Sequence, residues 1–445
     1  MKKRKIIFTC TLLAVLTAVS GCQSTDIPDI TNISDVIVSV STPSGESSSD
    51  FSENESYSSS AGNESSSSSD GNESSSSSDG NESSSSSDGN ESSSSSDGSE
   101  SSSSSAENTS STENTSSSSS ESTNSEIPPS DIPKPTDEVI FSNGIVIVGT
   151  RAFSLYAAGS RNFVSYAEAL NKYKEALPDV NVYSMVVPIA CEYYAPPEVA
   201  EKCSSQLEHI NTVYENLKNI KGVDAYSALA KHVDEEIFLR TDHHWSSLGG
   251  FYAAQEFAKD ANVPFLPLSD YEKCVNTGFC GTMYDYSGEN EIIKNNPENF
   301  EYYVPQTVDY TATYYNYKIS GWDVIGAYEP MEAGFFLNYG DNRSDNYCTF
   351  MAGDAKIVHV KTNTNNGRKL LMIKDSYGNA MAGFLFGSFE DIYVTDLRFF
   401  SHNMIDYIKE NQITDLLFVN NTTMAGNINM TENLNTIRTQ EDMGF

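Results

Sequence analysis

Asp242 and His244 stand two residues apart in Arg240-Thr241-Asp242-His243-His244-Trp245-Ser246-Ser247-Leu248-Gly249, directly ahead of a stretch with helical apolar spacing at Leu248–Lys259. In a strand-like or irregular segment, residues two apart point to the same side and adjacent residues to opposite sides, so Asp242 and His244 can share a face that His243 does not. A carboxylate placed this way can orient an imidazole and stabilise its protonated form. The second chemically suggestive stretch is Lys369-Leu370-Leu371-Met372-Ile373-Lys374-Asp375-Ser376-Tyr377-Gly378-Asn379, which reads as a buried strand, a polar turn carrying one hydroxyl, and a helix. That order puts Ser376 at the C-terminal edge of a parallel sheet, where α/β proteins place their sites. There it can act as a nucleophile, with its own backbone N–H and neighbouring amides as oxyanion donors. Its hydroxyl could alternatively cap the helix that follows. The adjacent His243 and His244 could bind a metal, but neighbouring residues rarely supply both ligands and no further His, Asp or Glu cluster lies close by in sequence. Trp245 reads as core rather than as a sugar platform. Asp-His at one helix start and Ser at another together point to a triad.

The elements that must hold these residues are legible between Val139 and Phe445, where short apolar runs alternate with helix-like segments. Ile145–Val148, Val182–Pro188, Leu370–Lys374, Ile392–Thr395 and Leu416–Val419 have the continuous apolar character of strands buried on both faces. Arg161–Leu177, Pro197–Lys221, Leu248–Lys259, Gly378–Phe386 and His402–Glu410 read as helices. Strand-helix alternation predicts an α/β domain with a mainly parallel sheet. Residues 262–350, rich in Tyr, Asn and Gly, read as irregular, an insertion or a small antiparallel piece over one edge.

The rest of the chain is of another kind. Met1–Lys5 is a basic segment, Ile6–Val19 an apolar one, and Val19-Ser20-Gly21-Cys22 resembles a bacterial lipobox. That resemblance implies removal of the residues before Cys22, its acylation, and an extracytoplasmic protein held by acyl chains at the outer face of the cell membrane. The apolar run is shorter than the roughly 20 residues a bilayer span requires. From about Ser24 to Asp137 no periodic apolar residue occurs, and GNESSSSSD recurs from Gly62, Gly71, Gly80 and Gly89. With no apolar side chain to bury, nothing offsets the entropy of ordering these repeats, so the stretch reads as a disordered linker. The expected division is therefore signal and lipobox at 1–22, linker at 23–137 and a folded domain at 138–445. The formal net charge is -35 over 445 residues, which argues against a nucleic-acid partner. Five cysteines fall in the domain: Cys191, Cys203, Cys274, Cys280 and Cys348. Cys191 with Cys203, and Cys274 with Cys280, are close enough for local bridges in an oxidising compartment. No spacing among them matches a zinc knuckle.

RTDHHWSSLGG, LLMIKDSYGNAMAGFL and IYVTDLRFF, in this order, resemble the DHHW protein family of Gram-positive bacteria, itself similar to the SGNH-hydrolase-like proteins that O-acetylate alginate. The resemblance spans roughly Asn143 to Asn421 and includes Gly281-Thr282-Met283-Tyr284, which is similar to that family's G-T-[LM]-Y segment. It implies a three-layer SGNH-hydrolase-like fold. In the acetylating relatives a D-x-H pair supplies acid and base, and a later serine is the nucleophile. Carried over, Asp242 orients His244, His244 is the base, Ser376 is acylated, and His243 stands outside the triad. Lys374 occupies the position of the glycine in the GDS block, and Asn421 is the candidate oxyanion asparagine. Trp245, Tyr377 and Arg398 are further candidates for contact with substrate or oxyanion. The implied activity is serine acyl transfer, with acetyl groups, or ester hydrolysis on a cell-envelope or exopolysaccharide glycan. The implied partners are that glycan and an acyl donor, with a membrane acyltransferase as candidate supplier, and neither cofactor nor metal is implied. The alternative from another class is an inactive descendant that binds polysaccharide through its many Tyr and Phe side chains. An intact triad with access to Ser376 distinguishes the enzyme from that binding module.

Overall fold

Branched aliphatic runs bounded by turn residues become strands because their side chains fit a pleated surface buried on both sides. A computed structural model describes residues 138–445 of the chain. The signal segment, Cys22 and the linker at 23–137 lie outside the described residues.

Strands β1 (Val139–Ser142), β2 (Ile145–Val148) and β3 (Arg151–Ser154) form a small antiparallel sheet. They are followed by β4 (Asn181–Val187), β5 (Lys221–Gly222), β6 (Tyr271–Phe279), β7 (Glu298–Pro305), β8 (Tyr310–Ser320), β9 (Asp323–Ala327) and β10 (Met331–Glu332). Strands β11 (Lys356–Thr362), β12 (Lys369–Lys374), β13 (Asp391–Asp396) and β14 (Asp415–Asn421) complete the set. The main sheet runs β10-β8-β11-β13-β12-β14-β4-β5, with β9 paired to β8. Its centre, β13-β12-β14-β4-β5, is parallel, and β11, β8 and β10 extend it with antiparallel pairings. Every residue of β14 and all but the first of β12 are buried, as expected of central strands. The helices Ser160–Ala176, Gln206–Asn216 and Ile428–Thr439 form one packed group, and Ala225–Ala230, Ser247–Ala261 and Tyr377–Ala382 another. The architecture is an α/β fold with a mixed, mainly parallel sheet. Among the described residues no helix is long and apolar enough to cross a membrane.

The anticipated strands all form, with ends shifted by a residue or two. Two expectations need correction. Pro197–Lys221 is not one helix: it breaks after a short turn at Pro197–Ala200, and a second helix starts at Gln206 because the Ser205 hydroxyl accepts the Glu208 N–H. Residues 262–350 are not irregular, and the antiparallel piece anticipated at one edge forms: β6 and β7 pair over most of their length, and β8 joins one end of the main sheet along seven residues of β11. Tyr and Thr at alternating exposure in β8 are good strand formers on a half-buried surface, so the Tyr-rich composition marked a strand rather than a loop.

All the parallel strands end at one edge, where Lys374 lies opposite Asp396 and Val419, and Asn421 opposite Val187. The helix Ser247–Ala261 is pressed close to this edge. A Cβ on Gly249 would lie 2.3 Å from the Ile237 carbonyl oxygen, and one on Gly250 would lie 2.9 Å from the Ala380 carbonyl oxygen. The two glycines therefore let this helix approach both the loop ahead of it and the helix after Ser376. Gly249→Ala should destabilise the domain by about 1–3 kcal/mol through overpacking. Gly159→Ala, with open space around it, should change stability little. Urea unfolding midpoints of the two variants measure the difference, and equal midpoints would contradict this account of the packing.

Candidate active site

The segment 237–246 folds back on itself: Phe238 bridges Trp245, the Leu239 N–H reaches the His244 carbonyl, and the Ser246 N–H reaches that of Ile237. Its tip is held by a buried carboxylate. Glu298 of β7 accepts the backbone N–H of Arg240 at 2.8 Å, and the N–H and hydroxyl of Thr241 at 2.6 Å each. Burial raises the Glu298 pKa, opposed by the neighbouring Arg240. Arg240 also donates to the Thr150 hydroxyl and to the Asn296 and Pro297 carbonyls. Ser246 then caps the following helix by accepting the Gly249 N–H.

This loop presents Asp242 and His244 side by side. Asp242 Oδ1 accepts from His244 Nδ1 at 2.6 Å and from the His244 backbone N–H at 3.0 Å. His244 Nε2 lies 2.7 Å from Ser376 Oγ across 132 residues of chain. An ionised carboxylate only accepts, so Nδ1 carries the imidazole proton and Nε2 accepts from the serine hydroxyl. Ser376 makes no side-chain cap to the helix it precedes. That capping role falls to Asp375, whose Oδ1 accepts the Tyr377 N–H. Ser376 is buried with 8 % of the residue accessible, against 2 % for Asp242 and 1 % for His244.

The other oxygen of Asp242 faces Gly281-Thr282. Oδ2 accepts the Thr282 N–H at 2.9 Å and its hydroxyl at 2.8 Å. A Cβ on Gly281 would meet the Asp242 Cβ at 2.5 Å, so the Gly-Thr pair permits contact that a larger residue would block. Burial raises the Asp242 pKa, but the two imidazoles and these hydrogen bonds outweigh it and hold the carboxyl well below its usual range. Thr282 has a single hydroxyl proton, given to Asp242, so its oxygen accepts from His243 Nδ1 at 2.6 Å. Burial, reinforced by the adjacent His244, pushes the His243 pKa down to about 3.

Three aromatic residues clamp the two loops. Tyr347 stacks on the His244 ring at 3.7 Å between centroids and 5° between planes, and its hydroxyl donates to the Ser376 carbonyl at 3.0 Å. Trp245 Nε1 donates to the Tyr377 carbonyl, and the Tyr377 hydroxyl donates to the His243 carbonyl. Trp245 and Tyr377 are both buried, with their polar atoms turned to this reciprocal clasp. Asn421 is likewise turned inward: its side-chain oxygen accepts the Thr423 and Met424 N–H groups, and its amide donates to Asp375 Oδ2 at 3.2 Å. Burial pushes the Asp375 pKa up to about 6.

Lys374 and Arg398 form a buried ion cluster with Asp354 and Asp396. Lys374 Nζ lies 2.7 Å from Asp354 and 3.0 Å from Asp396. Arg398 donates through Nε to Asp396 at 2.7 Å and through Nη2 to Asp354 at 2.6 Å. Asn379 adds a donor to Asp354. Two cations and two anions thus neutralise one another, and the geometry commits Arg398 to its carboxylates. Lys374 is accommodated because Gly378 has no side chain; a Cβ there would lie 2.5 Å from that of Lys374.

The structure therefore brings Asp242, His244 and Ser376 together, and sets Trp245, Tyr377, Asn421 and Arg398 around them in contacts with the protein itself. Asp242, His243 and His244 also offer ligand atoms within 4.8 Å of one another. A metal bound there would have to displace the hydrogen bonds to His244, Thr282 and Ser376. Cys191, Cys203, Cys274 and Cys280 are thiols in this structure. Sequence reasoning missed Thr282, Glu298, Tyr347 and Asp375. The Gly-Thr pair was visible as a motif without a role, and Asp375 as a neighbour of the nucleophile; Glu298 and Tyr347 carry no local signal.

A sequence profile of the DHHW protein family matches residues 76–395. Among solved structures, a DHHW family protein from Eubacterium siraeum is 40 % identical, covers 68 % of this chain and 99 % of its own, and has a TM-score of 0.62. PatB1 of Bacillus cereus, solved with a sulfonyl adduct, is 17 % identical over 66 % of this chain and 99 % of its own, at a TM-score of 0.52. The O-acetyltransferase domain of AlgJ from Pseudomonas putida is 12 % identical over 67 % of this chain and 99 % of its own, at 0.37. No curated protein matches by sequence.

His243 is expected to stay neutral, with its proton on Nδ1, well below its ordinary pKa of 6.5. Its neutral form contributes stability that is complete above pH 6.5 and is lost as the pH falls towards about 3, because the unfolded chain takes up the proton first. Imidazole nitrogen shifts of His243, followed by NMR from pH 7 to pH 4.5, should show one neutral tautomer throughout. Titration near 6.5 would contradict the Thr282 assignment.

Proposed function

This chain belongs to the DHHW family, and from that premise we propose that it is a serine acyltransferase or esterase that works on a cell-envelope or extracellular glycan with acetyl groups. The observation that carries this reading is the continuous Asp242–His244–Ser376 hydrogen-bonded line, with its bonds of 2.6 Å and 2.7 Å. In the proposed reaction His244 Nε2 takes the Ser376 proton as Oγ attacks the acyl carbonyl carbon. Asp242 keeps Nδ1 protonated and stabilises the imidazolium that forms. The oxyanion is received by the Ser376 backbone N–H and by the second amide hydrogen of Asn421. Collapse expels the donor's leaving group with the proton from His244, leaving acyl-Ser376. A sugar hydroxyl deprotonated by His244 then attacks the acyl carbon, the bond to Ser376 Oγ breaks, and His244 returns the proton to Oγ; water in place of the sugar gives hydrolysis. The narrow exposure of Ser376 suits a small acyl group such as acetyl.

The remaining assignments extend this reading. Export and anchoring through an acylated Cys22 would place the domain outside the cell membrane, with residues 23–137 as a spacer that lifts it towards the glycan. Trp245 and Tyr377 act as positioning residues that hold the two loops in register, and Arg398 holds the carboxylates that pair with Lys374.

His244→Ala should lower turnover of an activated acetyl ester by about 10²–10⁴-fold. His243→Asn should lower it far less and should act mainly on stability, while chelators should have no effect. Initial rates of both variants, with and without chelator, check this. Equal losses in the two variants, reproduced by a chelator, would replace the triad with a metal site.

A further inference from the structure

The chain contains two tryptophans, and they are treated oppositely: Trp245 has no accessible surface, whereas Trp322 exposes 47 % of its own. Trp322 occupies the tip of the β8–β9 hairpin. Ser320 pairs with Asp323, and Gly321, at φ 63°, takes the left-handed first position of the two-residue turn. Strand pairing does not require a large aromatic residue beside that glycine. The Trp322 ring lies 15° from the plane of the buried Phe399 at 6.0 Å between centroids, an offset, near-parallel contact, while about half of the tryptophan stays exposed.

The hairpin tip emerges at the same sheet edge as Ser376. Strands β8 and β13 are both antiparallel to β11 and so run in the same direction, and the end of β8 lies at the C-terminal edge of the parallel strands. Phe399 follows the end of β13, with the Arg398 guanidinium 5.6 Å from its ring centroid. Arg398 in turn reaches Asp354, which holds Lys374 and Asn379 on either side of Ser376. Three strand spacings of ~4.8 Å, on the order of 15 Å, separate β8 from β12 across the sheet, and Trp322 lies beyond Asn316, the β8 residue level with Lys374, so an acceptor that reaches both would be an oligosaccharide rather than a single sugar.

Building on the glycan-directed reading above, we propose that Trp322 is the stacking platform of an acceptor subsite that binds an uncharged pyranose chain along this edge. A pyranose presents an apolar face of C–H groups with hydroxyls around its rim. A rigid indole receives that face on its electron-rich surface while the hydroxyls stay in water. The support of Phe399 fixes the ring before the sugar arrives, which reduces the ordering lost on binding. The charge of the ligand follows from the protein: residues 138–445 hold 22 Lys and Arg against 40 Asp and Glu, a field that repels polyanionic chains.

Calorimetry and tryptophan fluorescence on Ser376→Ala protein, titrated with cellohexaose, chitohexaose and an oligo-uronate of similar length, test this without any acyl transfer. The failure of the chemistry proposed above would therefore leave the readout intact. Saturable binding of at least one neutral hexamer, with a change in emission, is expected, and the oligo-uronate should bind more weakly. Trp322→Ala in the same background should weaken binding by about tenfold or more. Trp322→Phe should retain most of it by calorimetry while losing the emission change, because Trp245 is enclosed. Circular dichroism melts establish that both variants are folded. No binding of either neutral hexamer, equal binding by Trp322→Ala, tighter binding of the uronate, or dimerisation through Trp322 in place of sugar binding would each overturn the proposal.

Discussion

A carboxylate cannot be taken out of water without replacing what water supplied, and the buried Asp242 is where this domain meets that requirement. Four donors surround its two oxygens: the backbone and ring N–H of His244 on one, and the backbone N–H and hydroxyl of Thr282 on the other. From that saturation the rest follows. Contact with the Gly281-Thr282 segment needs a glycine, the Thr282 hydroxyl turned to Asp242 fixes the tautomer of His243, and the proton held on His244 Nδ1 leaves Nε2 free to accept from Ser376. Removing either side would strand a charge in the interior, which is far more destabilising than losing an exposed pair.

Much of this was readable in the chain, for reasons that can be named. The spacing of Asp242 and His244 depends only on the local backbone, and Ser376 follows a continuous apolar run, so both were found without tertiary information. The parallel core was equally legible because strands buried on both faces need little but branched aliphatic residues. What escaped notice depended on partners distant in sequence. Glu298 supports the loop at Arg240-Thr241 from 57–58 residues away, and Tyr347 covers His244 from a stretch that reads as irregular. The start of the helix at Gln206 was different: Ser205 followed by Glu208 is a local cap signature, overridden in the reading by the apolar spacing around it. Asn421 shows how an asparagine at a strand end can serve the protein's own backbone, capping the turn that follows and bonding Asp375.

The sheet edge carries three groups of side chains. One is the neutralised cluster of Lys374, Arg398, Asp354 and Asp396 at the ends of β12 and β13, with Lys374 in the place where a glycine would be expected. Another is the Asp242–His244–Ser376 line, clamped by Trp245, Tyr377 and Tyr347. The third is the β8–β9 hairpin with Trp322 against Phe399. In the proposed account chemistry and glycan contact are thus carried by different strands of one sheet, so the acceptor can vary through the hairpin without disturbing the buried charges.

In the proposed reaction Ser376 becomes acylated through His244. Brief reaction of the purified protein with p-nitrophenyl acetate, quenched in acid and followed by intact-mass and peptide mapping, tests it most directly. A single acetyl group is expected on the peptide containing Ser376, absent from Ser376→Ala and formed much more slowly in His244→Ala. Acetylation confined to other side chains, or an equal rate of Ser376 acetylation in His244→Ala, would contradict it.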